Sequence, residues 1–398
     1  MSSGTSYRRF VRFLRDAVFA YMFDLLGIAS GLLVAWQLDI FELSRWTYVV
    51  YPAILSARGV VTGIMSGRLS TALNIGTVHP RLRGNTSLFY SIRDSVDVAT
   101  FETSIMMGLL AGVVGGAVLS LETSDYLDIF LVIVATMAFG IVISIVTIFG
   151  AFISFRRQLD PDITTYPMTS SIADIVITGA YIIVLNLFFT QGTAGKMIVY
   201  GLAAAFTIEA IYLVKKNRRE PEFIKTLKES ALTLFLVSVI VNLTGSTLGK
   251  ISEYVGSRKE VYTVYPALID TVGDIGAVIG STLTTKLALF SIKPTLLSIR
   301  HHRLEIAAAW LASAIMFVAY SLVSLASQSR LELFGPFTLM LLLVNLLAGS
   351  AVVLVSVMSA IMTFRRGLDP DNFVIPLESS LADTLTSLSL LLALHVFG

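Results

Sequence analysis

Two short stretches of this sequence place carboxylates and hydroxyls at helical spacing inside otherwise apolar segments. Each combines two hydroxyl residues with one aspartate at intervals of four positions: Ser170, Asp174 and Thr178, then Ser379, Asp383 and Ser387. Four-residue spacing puts each triplet on one face of a helix. Carboxylates and hydroxyls without sulfur or imidazole form an all-oxygen site, which suits hard divalent cations, Mg²⁺ above all. The pattern predicts a cation site, with hydrogen bonding between helices as the structural alternative.

The composition restricts the class of protein that carries these residues. Of 398 residues, 55% are hydrophobic and only 14% are charged, whereas soluble domains carry about 25% charged residues. The net charge of +2 comes from dispersed basic residues, so no nucleic-acid partner is expected. The absence of cysteine excludes disulfides, iron–sulfur clusters and thiolate zinc sites, and the four histidines are not at ligand spacing in an apolar span. The chain is predicted to be a polytopic all-α membrane protein in contact with the lipid bilayer.

Apolar runs predict about eleven transmembrane helices, because a helix needs roughly 20 apolar residues to cross a bilayer core of about 30 Å. The predicted spans are 17–36, 48–67, 100–121, 128–152, 168–190, 197–214, 230–249, 262–282, 304–326, 336–362 and 376–396. With the N-terminus inside, 20 of the 29 Lys and Arg residues fall in inside segments and 6 in outside segments. Arg58, Arg68 and Lys286 fall within spans or at their ends. The bias predicts the N-terminus inside and the C-terminus outside.

The chain contains an internal duplication. Residues 155–174 (FRRQLDPDITTYPMTSSIAD) and 364–383 (FRRGLDPDNFVIPLESSLAD) match at 12 of 20 positions, and a weaker echo relates VYPAILSARG, from Val50, to VYPALIDTVG, from Val264. We predict two five-helix repeats, 1–196 and 215–398, joined by a linking helix at 197–214. Because one helix is added between the copies, they are parallel and related by an axis along the membrane normal. A single-chain pseudo-dimer with a shared central path follows.

We expect different roles for the carboxylates near this path. An aspartate at mid-span costs about 2.5–3.5 kcal/mol on insertion scales, so its repetition predicts that the two copies face each other or a watery cavity. The loop residues Asp160, Asp162, Asp369 and Asp371 are expected to cap helices or to form an acidic vestibule. Pro167 and Pro376 are expected in the first turns of their helices.

Further residues are candidates for an accessory cation path. Gly59 and Gly273 lie on glycine-rich spans, where small residues allow close helix packing or expose backbone carbonyls beside the path. The second copy has Asp270 and Asp274 where the first has Ser56 and Val60, and Asp24 has no counterpart. The accessory set is Asp24, Asp270, Asp274, Asp162, Asp371, Gly59, Gly273, Thr178 and Ser387. Glu209 is expected at an interface or against a neighbouring helix.

The doubled pattern from Pro161 to Asp174 and from Pro370 to Asp383 resembles the MgtE-type magnesium transporters. The duplicated layout, and the segment from Pro52 to Gly76, is similar to solute carrier family 41. The resemblance implies that Asp174 and Asp383 hold Mg²⁺, aided by the backbone carbonyls of Ser170 and Ser379. It also implies a fused version of the five-helix homodimer of bacterial MgtE. The sequence has no counterpart of the cytosolic N domain and CBS domains of those proteins, so gating of that kind is not expected.

These observations favour transport of Mg²⁺ through a path between the repeats of a multi-pass plasma-membrane protein that is not an enzyme. The alternative is an exchanger that uses Na⁺ as a coupling ion, as the resemblance to solute carriers implies, with Asp24, Asp270 and Asp274 serving the second ion. A Mg²⁺-dependent membrane-embedded hydrolase is a remote alternative, because no nucleophile–base pair or phosphate loop is evident. The residues leave open the choice among Mg²⁺, Mn²⁺ and Co²⁺.

Overall fold

The computed structural model describes residues 3–27, 46–119, 123–233, 259–295 and 302–397, with isolated positions between 29 and 44 and position 237. These ranges form helices without strands. In chain order the helices are α1 (Ser3–Tyr21), α2 (Trp46–Ile75), α3 (Ser87–Leu119), α4 (Thr123–Met137), α5 (Gly140–Arg156), α6 (Pro161–Thr190), α7 (Gly192–Asn217), α8 (Lys259–Ala288), α9 (Arg303–Ser327), α10 (Phe334–Arg365) and α11 (Val374–Phe397). Residues 221–233 are also helical.

From α2 onward the helices cover the predicted apolar runs within the described residues and extend beyond most of them. α1 ends at Tyr21, near the start of the predicted span 17–36, and part of that span lies outside the described residues. Among the described residues, seven helical stretches are long and apolar enough to cross a membrane, with α4 and α5 counted together. The predicted span 128–152 is divided between α4 and α5 by a short break at Ala138–Phe139. Most of the predicted span 230–249 lies outside the described residues. The protein is a helical multi-pass membrane protein, and the arrangement of eleven spans with the N-terminus inside stays a prediction.

The start of α6 differs from the prediction. Pro161 occupies the first turn, and the Asp160 carboxylate caps the helix by accepting a hydrogen bond from the Asp162 backbone N–H at 3.1 Å. Pro167 therefore lies inside the helix, and the prediction that it begins the helix was wrong. Because proline has no N–H, the backbone carbonyl of Ile163 receives no helical hydrogen bond. In the second copy, a 3₁₀ turn (Pro370–Asn372) precedes α11, and Pro376 lies in the first turn of α11 as predicted.

Four helices form the centre of the molecule. α6 packs against α2 and α8, and α11 packs against α8 and α2, so each of these late helices contacts an early helix from both predicted copies. α2 and α8 also meet directly, through hydroxyl pairs that join Thr71 to Thr285 at 3.2 Å and Ser70 to Ser281 at 3.0 Å. Thr71 and Thr285 are 214 positions apart, the offset of the weaker sequence echo.

Equivalent contacts recur in the two predicted copies. The Tyr51 hydroxyl lies 2.8 Å from the Thr178 hydroxyl, between α2 and α6. The Tyr265 hydroxyl lies 2.7 Å from the Ser387 hydroxyl, between α8 and α11. Since both pairs join corresponding positions of the duplicated sequence, the copies bring their early and late helices together in the same way.

The first helix packs largely on the second predicted copy and also contacts α6 of its own copy. α1 contacts α9, and its buried residues Phe13, Ala17 and Tyr21 belong to the hydrophobic core of the second copy. The Arg9 guanidinium pairs with the Glu305 carboxylate of α9. The helical segment 221–233, which opens the second predicted copy, contacts both copies. Phe223 packs against Val98 of α3, and the Glu229 carboxylate accepts a hydrogen bond from the Asn372 side chain at 2.7 Å. Both α1 and this segment therefore reach across to the copy to which they do not belong.

Candidate cation site

Asp174 lies on the central helix α6 and is paired with a cation from α2. The Asp174 carboxylate contacts the Arg58 guanidinium, and each side chain is only 8% exposed. The Nε and Nη1 atoms of Arg58 have no hydrogen-bond partner among the described residues. The predicted metal ligand thus already holds a protein cation in this conformation.

Asp383 occupies the corresponding position on α11 but has a different environment. It is half-buried, and its carboxylate makes no ion pair or hydrogen bond within the described ranges. At the position in α8 that corresponds to Arg58, the second copy has Val272. Arg58 and Asp174 both act electrostatically on Asp383. The two predicted ligands therefore share one region of the molecule, although only Asp174 has a counter-ion.

Asp24 joins the same region from the 3₁₀ turn Met22–Leu26 that follows α1. It is fully buried, and its carboxylate accepts a hydrogen bond from the Thr271 hydroxyl of α8 at 2.6 Å. A weaker hydrogen bond of 3.4 Å comes from Ser171 of α6. Asp24 thus connects helices of both copies, and its place in the accessory set stays a prediction.

Asp270 and Asp274 lie on the α8 face that meets Asp24. A Cβ atom added to Gly27 would lie 2.6 Å from the Asp270 carboxylate, so the backbone after the 3₁₀ turn touches this side chain. Asp274 is 1% exposed, and neither of its carboxylate oxygens makes a hydrogen bond of ordinary geometry to the described residues. It lies beside Asp24, which acts on it electrostatically. The second copy therefore adds a buried carboxylate, Asp274, and a half-buried one, Asp270, in the region of the Arg58–Asp174 pair.

The predicted hydroxyls and glycines serve mainly to pack these helices. Ser170 donates a hydrogen bond to the Pro167 carbonyl at 3.1 Å, and Thr178 and Ser387 are bonded to tyrosines as described above. A Cβ atom added to Gly59 would lie 2.7 Å from the Ser379 hydroxyl, and one added to Gly273 would lie 3.5 Å from Ala382. Gly59 therefore allows α11 to approach closely, whereas an alanine at Gly273 would make only an ordinary van der Waals contact. Carbonyl ligation by Ser170 and Ser379 stays a prediction.

The loop aspartates are divided between two roles. Asp162 is buried between the copies, where its carboxylate accepts hydrogen bonds from Asn74 and Ser281, each at 3.0 Å. Asp160 caps α6 and lines a cavity of about 360 Å³ that also contains Asp16, Arg12 and Lys286. The cavity is lined by both signs of charge, so it is not a purely acidic vestibule. The Asp371 side chain lies outside the described part of the chain.

Two charged residues in this region were not selected from the sequence as site residues. In the sequence, Arg58 is a basic residue within a predicted span and gives no sign of its partner. Glu378 of α11 is fully buried, and its oxygens make no hydrogen bond of ordinary geometry to the described residues. Cβ atoms added to Gly276 and Gly280 of α8 would each lie 3.0 Å from a Glu378 carboxylate oxygen. Both residues could have been noticed in the sequence, because each is a charged side chain within one of the two duplicated segments.

No group of three or more His, Cys, Asp or Glu side chains converges to hold a metal ion among the described residues. The described side chains therefore do not form a complete set of metal ligands in this conformation. The geometry is that of separate buried carboxylates, contributed by α6, α8, α11 and the turn after α1 around one guanidinium.

A family model decides the relationship of this chain to known proteins. The model for MgtE, described as a divalent cation transporter, matches residues 51–184 and again residues 265–393, about two thirds of the chain in total. The chain belongs to the MgtE family. The two matches begin at Tyr51 and Tyr265, the second residues of the two echo segments, and run past Asp174 and Asp383. Both parts of the MgtE match therefore include the central helices described above.

Curated relatives within this MgtE relationship are members of solute carrier family 41. Member 3 from Rattus norvegicus is 25% identical over 398 aligned positions, which cover 90% of this chain and 80% of the relative. Member 2 from Xenopus laevis is 21% identical, with 93% of this chain and 68% of the relative covered. The family supports transport of divalent cations and a role other than that of an enzyme.

Solved structures give only a distant likeness. The Vibrio cholerae MATE transporter VcmN in its bent form is 14% identical with a TM-score of 0.46, and 99% of each chain is covered. A MOP superfamily transporter from Pyrococcus furiosus is 11% identical with a TM-score of 0.42, covering 97% of this chain and 96% of that one. TM-scores below 0.5 give no basis for transferring a mechanism or a ligand to this MgtE-family chain.

Proposed function

We propose that this protein carries Mg²⁺ across the membrane along the interface between its two copies, past Asp174 and Asp383. The observation that carries this proposal is that Asp174, Asp274 and Asp383 place carboxylates on central helices of both copies, in the region of the Arg58 guanidinium. An intramembrane ionisable residue is costly and marks ion pathways in membrane proteins. We also propose that residues 1–196 and 215–398 are the two copies, that α7 links them and that the plasma membrane is the site of action.

The mechanism follows from the chemistry of the ion. Mg²⁺ gives up its water reluctantly and is usually held by one or two carboxylates while it keeps several waters. Two aspartates separated by helix packing suit a partly hydrated ion better than a stripped one. Because Asp174 is 6% exposed, the path is closed at this level in the conformation described here. Transport therefore requires the copies to separate locally around α6 and α11.

Flux into liposomes tests this proposal. The purified full chain is reconstituted with a trapped Mg²⁺ indicator, and Asp383→Asn is compared with Asp128→Asn. Asp128 is a matched control because it is a carboxylate on α4 that accepts a hydrogen bond from Tyr200 at 3.0 Å, away from the central helices. We expect Asp383→Asn to abolish Mg²⁺ entry and Asp128→Asn to retain it. Entry that is unchanged in folded Asp383→Asn protein would contradict the proposed path.

A Na⁺-coupled exchanger is the second candidate, and the accessory carboxylates favour it. Asp24 and Asp274 form a buried pair beside the Arg58–Asp174 pair, so the region offers a second place for a cation. An exchanger predicts Mg²⁺ flux only when a Na⁺ gradient is imposed, and Asp274→Asn should remove this dependence. Flux that follows the membrane potential and ignores Na⁺ indicates a channel instead.

A further inference from the structure

We infer that Arg58 is a resident counter-cation that the transported ion must displace from Asp174, and that this competition sets the affinity of the site. The inference rests on the proposed function, because it concerns what happens at Asp174 when a divalent cation arrives. It assigns control of the ion affinity to a residue of α2 that is not itself an ion ligand.

The first argument is the position of the guanidinium. Arg58 contacts Asp174 directly, and both side chains are 8% exposed, so no bulk water screens the pair. A divalent cation beside Asp174 would meet a positive charge at contact distance. Two cations at one carboxylate in a region of low dielectric repel each other strongly. Mg²⁺ and the Arg58 guanidinium therefore exclude each other from Asp174.

The second argument is the incomplete bonding of Arg58. A guanidinium carries five N–H donors, and a buried one normally uses them in fixed hydrogen bonds. Here Nε and Nη1 have no hydrogen-bond partner among the described residues. Arg58 is thus held by a single carboxylate and not by a network, which is the arrangement expected of a side chain that is released during the cycle.

The third argument is the charge around the pair. Asp270 and Asp383 also act electrostatically on Arg58. When an ion takes Asp174, the guanidinium therefore has carboxylates of the second copy to move toward. The second copy has Val272 at the position that corresponds to Arg58, so the counter-cation exists once and serves both copies.

Stabilisation by Mg²⁺ tests the inference on the full chain in detergent. The thermal midpoint is measured against Mg²⁺ concentration for the native chain and for Arg58→Met, Arg58→Lys and Asp174→Asn. We expect Arg58→Met to lower the Mg²⁺ concentration of half-maximal stabilisation by at least about tenfold, which corresponds to about 1.4 kcal/mol. Arg58→Lys keeps the charge and should stay near the native value. Asp174→Asn should reduce the response to Mg²⁺ strongly.

Arg68→Met provides a matched control, because Arg68 is another buried arginine of α2 that pairs with Glu222 and Asp369 outside the candidate site. It should lower the thermal midpoint without changing the Mg²⁺ dependence. If Arg58→Met cannot be purified in metal-free buffer, the inference requires Mg²⁺ to restore its folding, because the ion replaces the lost counter-charge. Failure of Mg²⁺ to do so would overturn the inference.

The outcomes separate the two proposals. An unchanged Mg²⁺ dependence in Arg58→Met, together with a response that still requires Asp174, refutes the competition and leaves the transport path intact. Absence of both Mg²⁺ flux and Mg²⁺ stabilisation in the native chain refutes the proposed function itself. A tenfold gain in apparent affinity that Arg58→Lys does not reproduce supports displacement of a resident cation.

Discussion

Removing the charge of Asp174 should destabilise the protein far more than removing the charge of Asp383, although the two occupy corresponding positions. Asp174→Asn leaves the Arg58 guanidinium 8% exposed and without a counter-ion. Removing one partner of a buried ion pair costs about 3–5 kcal/mol. The Asp383 carboxylate makes no ion pair or hydrogen bond to the described residues, and it is acted on by the opposite charge of Arg58 and the like charge of Asp174. We expect Asp383→Asn to change the unfolding free energy by less than about 1 kcal/mol.

The assay is reversible unfolding in denaturant and mixed micelles without Mg²⁺, followed by tryptophan fluorescence. The two single variants are compared with the double variant Asp174→Asn/Arg58→Met. The double variant should recover most of the loss, since it removes the orphaned charge together with its partner. Equal losses for the two single variants, or a double variant no more stable than Asp174→Asn alone, would refute the assignment of a buried pair and the asymmetry of the site.

Three further predictions use other contacts. Tyr51→Phe and Tyr265→Phe each remove one hydrogen bond, in corresponding places of the two copies. Each substitution should lower the unfolding free energy by about 0.5–1.5 kcal/mol, and the two losses should agree. Unequal losses in unfolding experiments would argue against equivalent packing. Glu378→Met replaces two buried oxygens, which make no hydrogen bond of ordinary geometry to the described residues, by an apolar chain of similar length. The thermal midpoint should rise, whereas a fall would show that the carboxyl has a partner. Asp160→Ala removes the cap of α6 and should lower the unfolding free energy by about 1 kcal/mol. Asp160→Asn keeps a capping oxygen and should lower it much less in the same unfolding experiment.

The class of fold and the central helices were predictable because hydropathy and duplication are properties of the chain alone. The match between 155–174 and 364–383 located α6 and α11, and the echo at Val50 and Val264 located α2 and α8. The start of α6 was not predicted, because two prolines six residues apart both fit a first turn, and only the Asp160 cap distinguishes them. A local pattern gives a helix more reliably than its first residue.

The partner of Asp174 could not be predicted, because it depends on how helices far apart in sequence meet. Arg58 and Asp174 are separated by most of the first copy, and the sequence offered Arg58 only as a base within a span. The same holds for Glu378, whose slot is formed by Gly276 and Gly280 of another helix. The duplication even argued against the result, since it predicted two equivalent aspartates. Val272 in place of Arg58, together with Asp270 and Asp274 in place of Ser56 and Val60, was the visible sign that the copies differ.

The packing of α1 on α9 has a consequence for the way the protein is made. α1 leaves the ribosome before α9, and its partner Glu305 on α9 is synthesised 296 residues after Arg9. At about 5–20 residues per second, α1 waits on the order of 15–60 s for the surface that covers it. During this interval Asp24 has no Thr271 to bond, although Thr271 donates to it at 2.6 Å in the finished protein. Early insertion of the chain therefore needs a protected environment for α1, and a ribosome-bound intermediate that ends before α9 should expose this helix to cross-linking by the insertion machinery.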